Sequence, residues 1–308
     1  MRGLIVECTP IRGGQAGSVA HVRNVLAINK YLNWDIVFDD KTISNVILNK
    51  YDKIIFSYAS GYMPFKKIDE LLKNNESAQI YWIINEYDCP APSFMQKRND
   101  VKVIANFEIP KNRQRSYKFA KSWLMVNLNT LIWGECDIDV KKKHELIYYG
   151  TYRKDRAKYF KKYFDENIIV SSSSKNFKQY MQHGCQPKFI EKIKWDKNKE
   201  TLRLFKYSLY IEDEFTHENY NHLANRFYEA VYCNCVPVFD SSCKKNVIKS
   251  GYNIPEFLFF DDKNQLWEFI KHSDYHQLRE VFRNNVLSQI IAEREQTINK
   301  ILSFIKND

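Results

Sequence analysis

The sequence predicts two open α/β domains in tandem, and three observations carry that expectation. Short apolar runs rich in Ile, Val and aromatic residues alternate with helix-compatible stretches, the pattern of βαβ units on a parallel sheet with right-handed crossovers. The alternation occurs twice, on either side of a turn-rich and then basic stretch, Leu128 to Lys143 (LNTLIWGECDIDVKKK). The length, 308 residues, exceeds one usual domain and suits two of roughly 150 residues.

In the first half, Leu4 to Cys8, Asp35 to Phe38, Lys53 to Tyr58, Gln79 to Glu86 and Val101 to Phe107 read as buried strands bounded by turns. Ser18 reads as the N-cap of a helix from Val19 to Leu32, and Pro64 as a first-turn proline ahead of Phe65 to Lys73. In the second half, strands are expected at His144 to Tyr152, Ile168 to Ser172, Tyr207 to Glu212, Val236 to Phe239 and Phe257 to Phe260. Helices are expected at Asp155 to Phe164, Asn176 to Gln182, Ala224 to Cys233 and from Gln265 onward. The expected domains are 1–135, 136–285 and a C-terminal helix, 286–308, that returns to the first. No internal repeat and no low-complexity segment is visible.

Apolar residues at 44% and aromatics at 15% exclude a disordered or fibrous chain, and 9 Gly with 8 Pro exclude a collagen-like one. The absence of a long uncharged apolar stretch and of a signal-cleavage pattern leads us to expect a soluble, cytoplasmic monomer with no membrane partner. Lys and Arg number 47 against 37 Asp and Glu, a net charge of +10 that favours polyanionic partners, nucleic acid first; plain solvation by lysine is the rival account. The seven cysteines are odd in number and scattered, which suits free thiols better than a disulfide framework.

Several chemistries are struck off by sequence: Walker A, GxSxG, GxGxxG and kinase catalytic-loop patterns are all missing. His217 and His222 miss the zincin spacing by one residue, and Cys233, Cys235 and Cys243 among apolar neighbours read as buried structural thiols rather than zinc ligands. Four segments remain. Gly13-Gly14-Gln15-Ala16-Gly17-Ser18 precedes a helix, where glycines permit close approach and helix-start amides attract a diphosphate; a plain turn is the alternative. Gly150-Thr151-Tyr152-Arg153-Lys154-Asp155-Arg156 again joins strand to helix, and Arg153 and Arg156 oppose the helix dipole there, so they ask for an anionic ligand. Arg226 and Glu229, at i and i+3, form either an intrahelical ion pair or a phosphate and ribose pair. Finally, Ile80 to Pro90 is an apolar strand ending in Glu86 and Asp88, carboxylates fit for a general base or for a turn.

At these residues the sequence resembles the bacteriophage DNA beta-glucosyltransferases. Glu145 to Arg156 looks like the family's strand, glycine and arginine pattern at the donor diphosphate, with the second arginine one residue early. Asn225-Arg226-Phe227-Tyr228-Glu229-Ala230 is similar to its arginine and glutamate helix. The strand Gln79 to Glu86 followed by Pro90 resembles the strand that delivers the family's catalytic aspartate. Glu86 takes that place, a glutamate for an aspartate, and Asp88 is the second candidate.

The resemblance implies a GT-B fold, two Rossmann-like domains facing a central cleft. It implies inverting transfer from a UDP-sugar, UDP-glucose or UDP-arabinose, to the hydroxymethyl group of a base, 5-hydroxymethylcytosine foremost, flipped from double-stranded phage DNA in the host cytoplasm. Gly14, Gly17, Ser18, Gly150, Thr151, Arg153, Arg156, Arg226 and Glu229 are then the donor-site candidates. Lys97, Arg98, Lys111, Arg113 and Arg115 are the DNA-contact candidates, and Mg2+ is left without assigned ligands. The rival readings are a GT-B enzyme acting on a polysaccharide or lipid-linked glycan, and a noncatalytic DNA-binding protein.

Overall fold

A computed structural model describes residues 2–7, 16–57, 64–84, 93–106, 117–132, 140–150, 152–194, 197–219 and 222–306. The chain divides into two compact units: Met1–Gly134 together with Ala292–Asp308, and Glu135–Ile291. The first unit carries β1 (Gly3–Val6), α1 (Ala16–Leu32), β2 (Asp35–Val37), α2 (Asp40–Ser44), β3 (Lys53–Ser57), α3 (Phe65–Asn74), β4 (Gln79–Ile84), α4 (Ser93–Gln96), β5 (Val101–Asn106) and β6 (Ala120–Val126). The second carries β7 (His144–Tyr149), α5 (Ala157–Tyr163), β8 (Ile169–Ser172), α6 (Ser174–Gln182), β9 (Lys188–Glu191), α7 (Asn198–Leu202), β10 (Phe205–Tyr210), α8 (Glu214–Asn219), α9 (Asn225–Tyr232), β11 (Val236–Asp240), α10 (Lys244–Ser250), β12 (Phe259–Phe260), α11 (Lys263–His272) and α12 (Tyr275–Phe282). The last helix, α13 (Ser288–Lys306), follows.

Among the described residues each unit holds one six-stranded sheet, ordered β2-β1-β3-β4-β5-β6 and β12-β11-β10-β7-β8-β9, and every pairing is parallel. Parallel strands covered on both faces are apolar throughout rather than alternating, and β1, β3 and β5 are buried at every position. Gly3 serves β1 by its lack of a side chain: a Cβ there would fall 1.9 Å from the Trp34 indole. The second sheet has the strand order of a dinucleotide-binding fold, and its direction of winding reverses between β7 and β10. Ligands bind outside the carboxyl ends of strands at such a switch point.

The core of the first unit includes Ile5, Val25, Ile55, Tyr81, Ile83 and Ile104, with Ile298, Ile301 and Ile305 of α13 packed among them. Burying each of these isoleucines contributes about 1.5–3 kcal/mol. Two buried lysines break the apolar pattern of β3 and β5. Lys53 is buried and its Nζ donates to the carbonyl of Ile305, a cation placed at the negative end of α13; Lys102 lies with Nζ 5.8 Å from the Tyr81 ring centroid. No described helix is long and apolar enough to cross a membrane.

Several boundaries differ from the sequence expectation. Helix α1 begins at Ala16, so Ser18 lies inside its first turn and is not the N-cap. Strand β7 stops at Tyr149 rather than Tyr152, and Lys154–Arg156 form a 3-10 turn before α5. Strand β6 is a half-buried edge whose Lys121 and Ser122 interrupt the apolar run, and β9 is a four-residue edge. Both lacked the continuous apolar signature by which the other strands were read.

Candidate functional site

The carboxyl end of β7 is where separate sequence segments meet. Tyr148 is buried within the sheet, and the Tyr149 hydroxyl donates to the Arg226 carbonyl at 2.7 Å, tying the strand end to α9. Gly150 follows in a tight space: a Cβ would sit 3.1 Å from the Tyr148 hydroxyl and 3.6 Å from Nη1 of Arg226. A side chain here presses on the Tyr148 hydroxyl, which gives the glycine a local reason.

Three arginines gather beside it around two buried carboxylates. Arg156 donates through Nη2 to Glu212 Oε2 at 3.0 Å and to Asp213 Oδ2 at 2.6 Å. Arg226 donates to Glu212 Oε1 and to the Ile211 carbonyl, with its guanidinium 5.1 Å from the Tyr210 ring centroid. Arg153 is half-exposed, its Nη1 3.4 Å from Asp213 Oδ2. Asp213 also accepts from the Thr216 amide at 2.8 Å and the Thr216 hydroxyl at 2.7 Å, which fixes it at the start of α8. Burial pushes the Asp213 carboxyl up, but the Thr216 hydroxyl and Arg156 outweigh it and hold the group down at about 2. For Arg226, burial opposes the charge and the Glu212 carboxylate restores it, leaving the guanidinium above its ordinary value.

The network is not saturated. Arg156 Nε, Arg226 Nε and the Tyr148 hydroxyl are buried without a hydrogen-bond partner, and each such group costs about 1–3 kcal/mol. Two of these three atoms sit on guanidinium groups, a chemistry suited to phosphate. Three guanidinium groups against two carboxylates leave one positive charge in excess.

Glu229, one turn beyond Arg226 on α9, does not pair with it. Instead Asn198 Nδ2 donates to Glu229 Oε1 at 3.2 Å, while Arg226 turns to Glu212. The intrahelical ion pair considered from the i, i+3 spacing is therefore not formed; the buried Glu212 draws the arginine more strongly than a partly exposed neighbour. Glu212 and Asp213 were overlooked as site residues, although they follow the apolar β10 as directly as Glu86 follows β4.

The remaining candidates are less clustered. Gly14, Thr151, Glu86, Asp88, Lys111, Arg113 and Arg115 lie outside the described residues, and Gly17 is described only as backbone in the first turn of α1. Arg98 forks onto Asp100, Nε to Oδ1 at 2.8 Å and Nη2 to Oδ2 at 2.6 Å, which occupies the group expected to contact DNA. Lys97 sits with Nζ 5.6 Å from the Phe65 ring centroid. Cys185, Cys233, Cys235 and Cys243 are free and buried. Among the described residues no cluster of three or more His, Cys, Asp or Glu is arranged to hold a metal.

His222, just before α9, supplies a pH prediction. Burial lowers its pKa to about 3, whereas an unfolded histidine titrates near 6.5. Between those values the unfolded chain binds a proton that the folded chain does not, so stability falls as the pH drops below about 6.5. Measured by urea unfolding at pH 7 and pH 5, the parent should lose on the order of 1–2 kcal/mol more than His222→Gln; equal losses in the two proteins would refute the assignment.

No family model and no curated protein sequence matches this chain. Solved structures do match it along its whole length. A T4 phage β-glucosyltransferase in complex with its UDP-glucose substrate superposes with a TM-score of 0.71 at 15% identity, covering 99% of this chain and 100% of that one. An α-glucosyltransferase bound to UDP and a 13-mer DNA containing an HMU base gives a TM-score of 0.61 at 12% identity, covering 97% and 99%. A T4 phage β-glucosyltransferase with UDP and Mn2+ gives 0.63 at 16%, covering 98% and 95%. Two parallel Rossmann-like sheets in this order, matched end to end by these enzymes, give the chain the GT-B fold of the phage DNA glucosyltransferases.

Proposed function

We propose that the protein is a glycosyltransferase that moves a sugar from a UDP-sugar to DNA, with inversion, and that its acceptor is the hydroxymethyl group of a modified base, 5-hydroxymethylcytosine foremost. The observation that carries this reading is the gathering of Gly150, Arg153, Arg156 and Arg226 at the switch point of the second sheet, with Glu229 one helical turn away. A diphosphate there meets guanidinium donors, and a carboxylate on α9 suits the paired hydroxyls of a ribose. The fold neighbours support the same donor: one is described with UDP-glucose and another with UDP and DNA.

In the proposed reaction, Glu86 or Asp88 takes the proton from the acceptor hydroxyl as its oxygen bonds to the anomeric carbon. The bond to the diphosphate breaks with its electron pair, and UDP departs. The arginines answer the charge that grows on the leaving oxygen, the electrostatic work that is usually the largest part of such catalysis. The Glu212 and Asp213 carboxylates are committed to arginines. Because both β- and α-type enzymes share the fold, inversion rests on the resemblance to the β-type and is checked by the anomeric configuration of the product.

UDP alone should stabilise the protein by roughly 2.7 kcal/mol at a hundred times its dissociation constant, and Glu229→Ala should remove most of that gain in a thermal-shift measurement. Equal UDP stabilisation of parent and variant would show that Glu229 does not grip the ribose. The same panel, run with UDP-glucose and UDP-arabinose, identifies the sugar.

DNA binding is tested by salt. Each neutralised phosphate contributes a slope of about −0.9 in log affinity against log salt, so replacing Arg113 and Arg115 by Ala should flatten the slope by about two units. A parent slope near zero removes DNA and favours the glycan acceptor.

A further inference from the structure

We infer that Glu212 and Asp213 are fixed counter-anions that set the site's preference for a nucleotide-sugar over the free nucleoside diphosphate, so that product is held less tightly than donor. The inference rests on the donor-site reading above. Both carboxylates are almost fully buried, at 2% and 0% exposure, and neither is free to swing away. Glu212 bridges Arg156 and Arg226, and Asp213 is pinned by Arg156 on one oxygen and by Thr216 on the other. Beside them the Arg153 side chain is 55% exposed, with Nη1 3.4 Å from Asp213 Oδ2. A diphosphate can therefore reach this guanidinium without displacing the carboxylates, which remain as neighbours of the bound ligand.

The consequence follows from charge. A diphosphate esterified at both ends carries two negative charges. Transfer of the sugar leaves a terminal phosphate whose second ionisation lies near pH 6, so free UDP carries close to three charges above about pH 7. The donor's two negative charges already exceed the one excess positive charge of the arginine and carboxylate cluster, and the product's third charge exceeds it further. Two immobile carboxylates in a low-dielectric pocket repel the additional charge, because such interactions are screened far less there than in water. They also hold the guanidinium groups in place, which a purely cationic cluster would not do.

The test compares affinities for UDP and UDP-glucose by titration calorimetry on the full chain at about pH 8, where the terminal phosphate is ionised. In Glu212→Gln and in Asp213→Asn, UDP should gain on UDP-glucose by about tenfold relative to the parent ratio, a shift of the size one nearby buried charge produces. Asp213→Asn keeps the Oδ1 acceptor for Thr216 and serves if Glu212→Gln folds poorly. In turnover assays the same variants should show tighter inhibition by UDP. If the parent binds both ligands but the ratio stays within about twofold in the folded variants, or both affinities fall by a common factor, the carboxylates are structural and the inference is overturned while the donor site stands. If the parent binds neither ligand, the donor-site reading itself fails and takes the inference with it.

Discussion

Glu86→Gln is expected to leave UDP-sugar affinity nearly unchanged and to lower transfer about 100-fold or more, the usual contribution of a general base. Strand β4 (QIYWII) is buried along almost its whole length and ends at Ile84. Glu86 follows two residues further on in the sequence, outside the described residues. A group that handles only the acceptor proton contributes nothing to donor binding, so the separation of affinity from rate is what identifies it. Asp88→Asn is the companion variant, because Asp88 is the second carboxylate that follows β4 in the sequence. An active Glu86→Gln beside an inactive Asp88→Asn moves the base to Asp88. Full activity in both returns these carboxylates to a turn-forming role.

Arg226→Met is expected to destabilise the protein by about 3–5 kcal/mol, because it strips a partner from the buried Glu212. It should also abolish UDP stabilisation, since it removes one of the guanidinium groups proposed for the diphosphate. The two effects separate in the double variant Arg226→Met with Glu212→Gln. Removing the stranded charge should restore most of the stability, whereas UDP binding should not return. The measurement is a double-mutant cycle by urea unfolding with a parallel UDP titration. A single Arg226→Met variant that loses under about 1 kcal/mol would show that Arg156 alone satisfies Glu212.

Particular residues show what was legible before any coordinates. The apolar runs of β1 and β4, and those within β3, β5, β7 and β10 despite single polar positions, announced their strands because strands covered on both faces tolerate little else. Arg153 and Arg156 announced themselves by standing at a helix start, where cations are unfavourable without an anion to justify them. The edge strands β6 and β9 did not, since one open side lets lysine and serine in and erases the pattern. The partner of Arg226 was not legible for a related reason. Sequence spacing shows neighbours within a helix, and Glu229 was the neighbour in view, whereas Glu212 comes from another strand end.

The sequence by itself determined the repeated strand and helix alternation, the basic balance, and the glycine and arginines of the turn that follows β7. These follow from periodicity and local backbone preference, which act over a few residues. Only the tertiary structure decided that β7 and β10 lie side by side, which brings Gly150, Arg156, Glu212, Asp213 and Arg226 together although they span 77 positions. It also decided the balance of charge there, two carboxylates against three guanidinium groups. The physical reason is that burial makes an unpaired charge so costly that partners are chosen by what the fold brings within reach, and distance along the chain has no part in that choice.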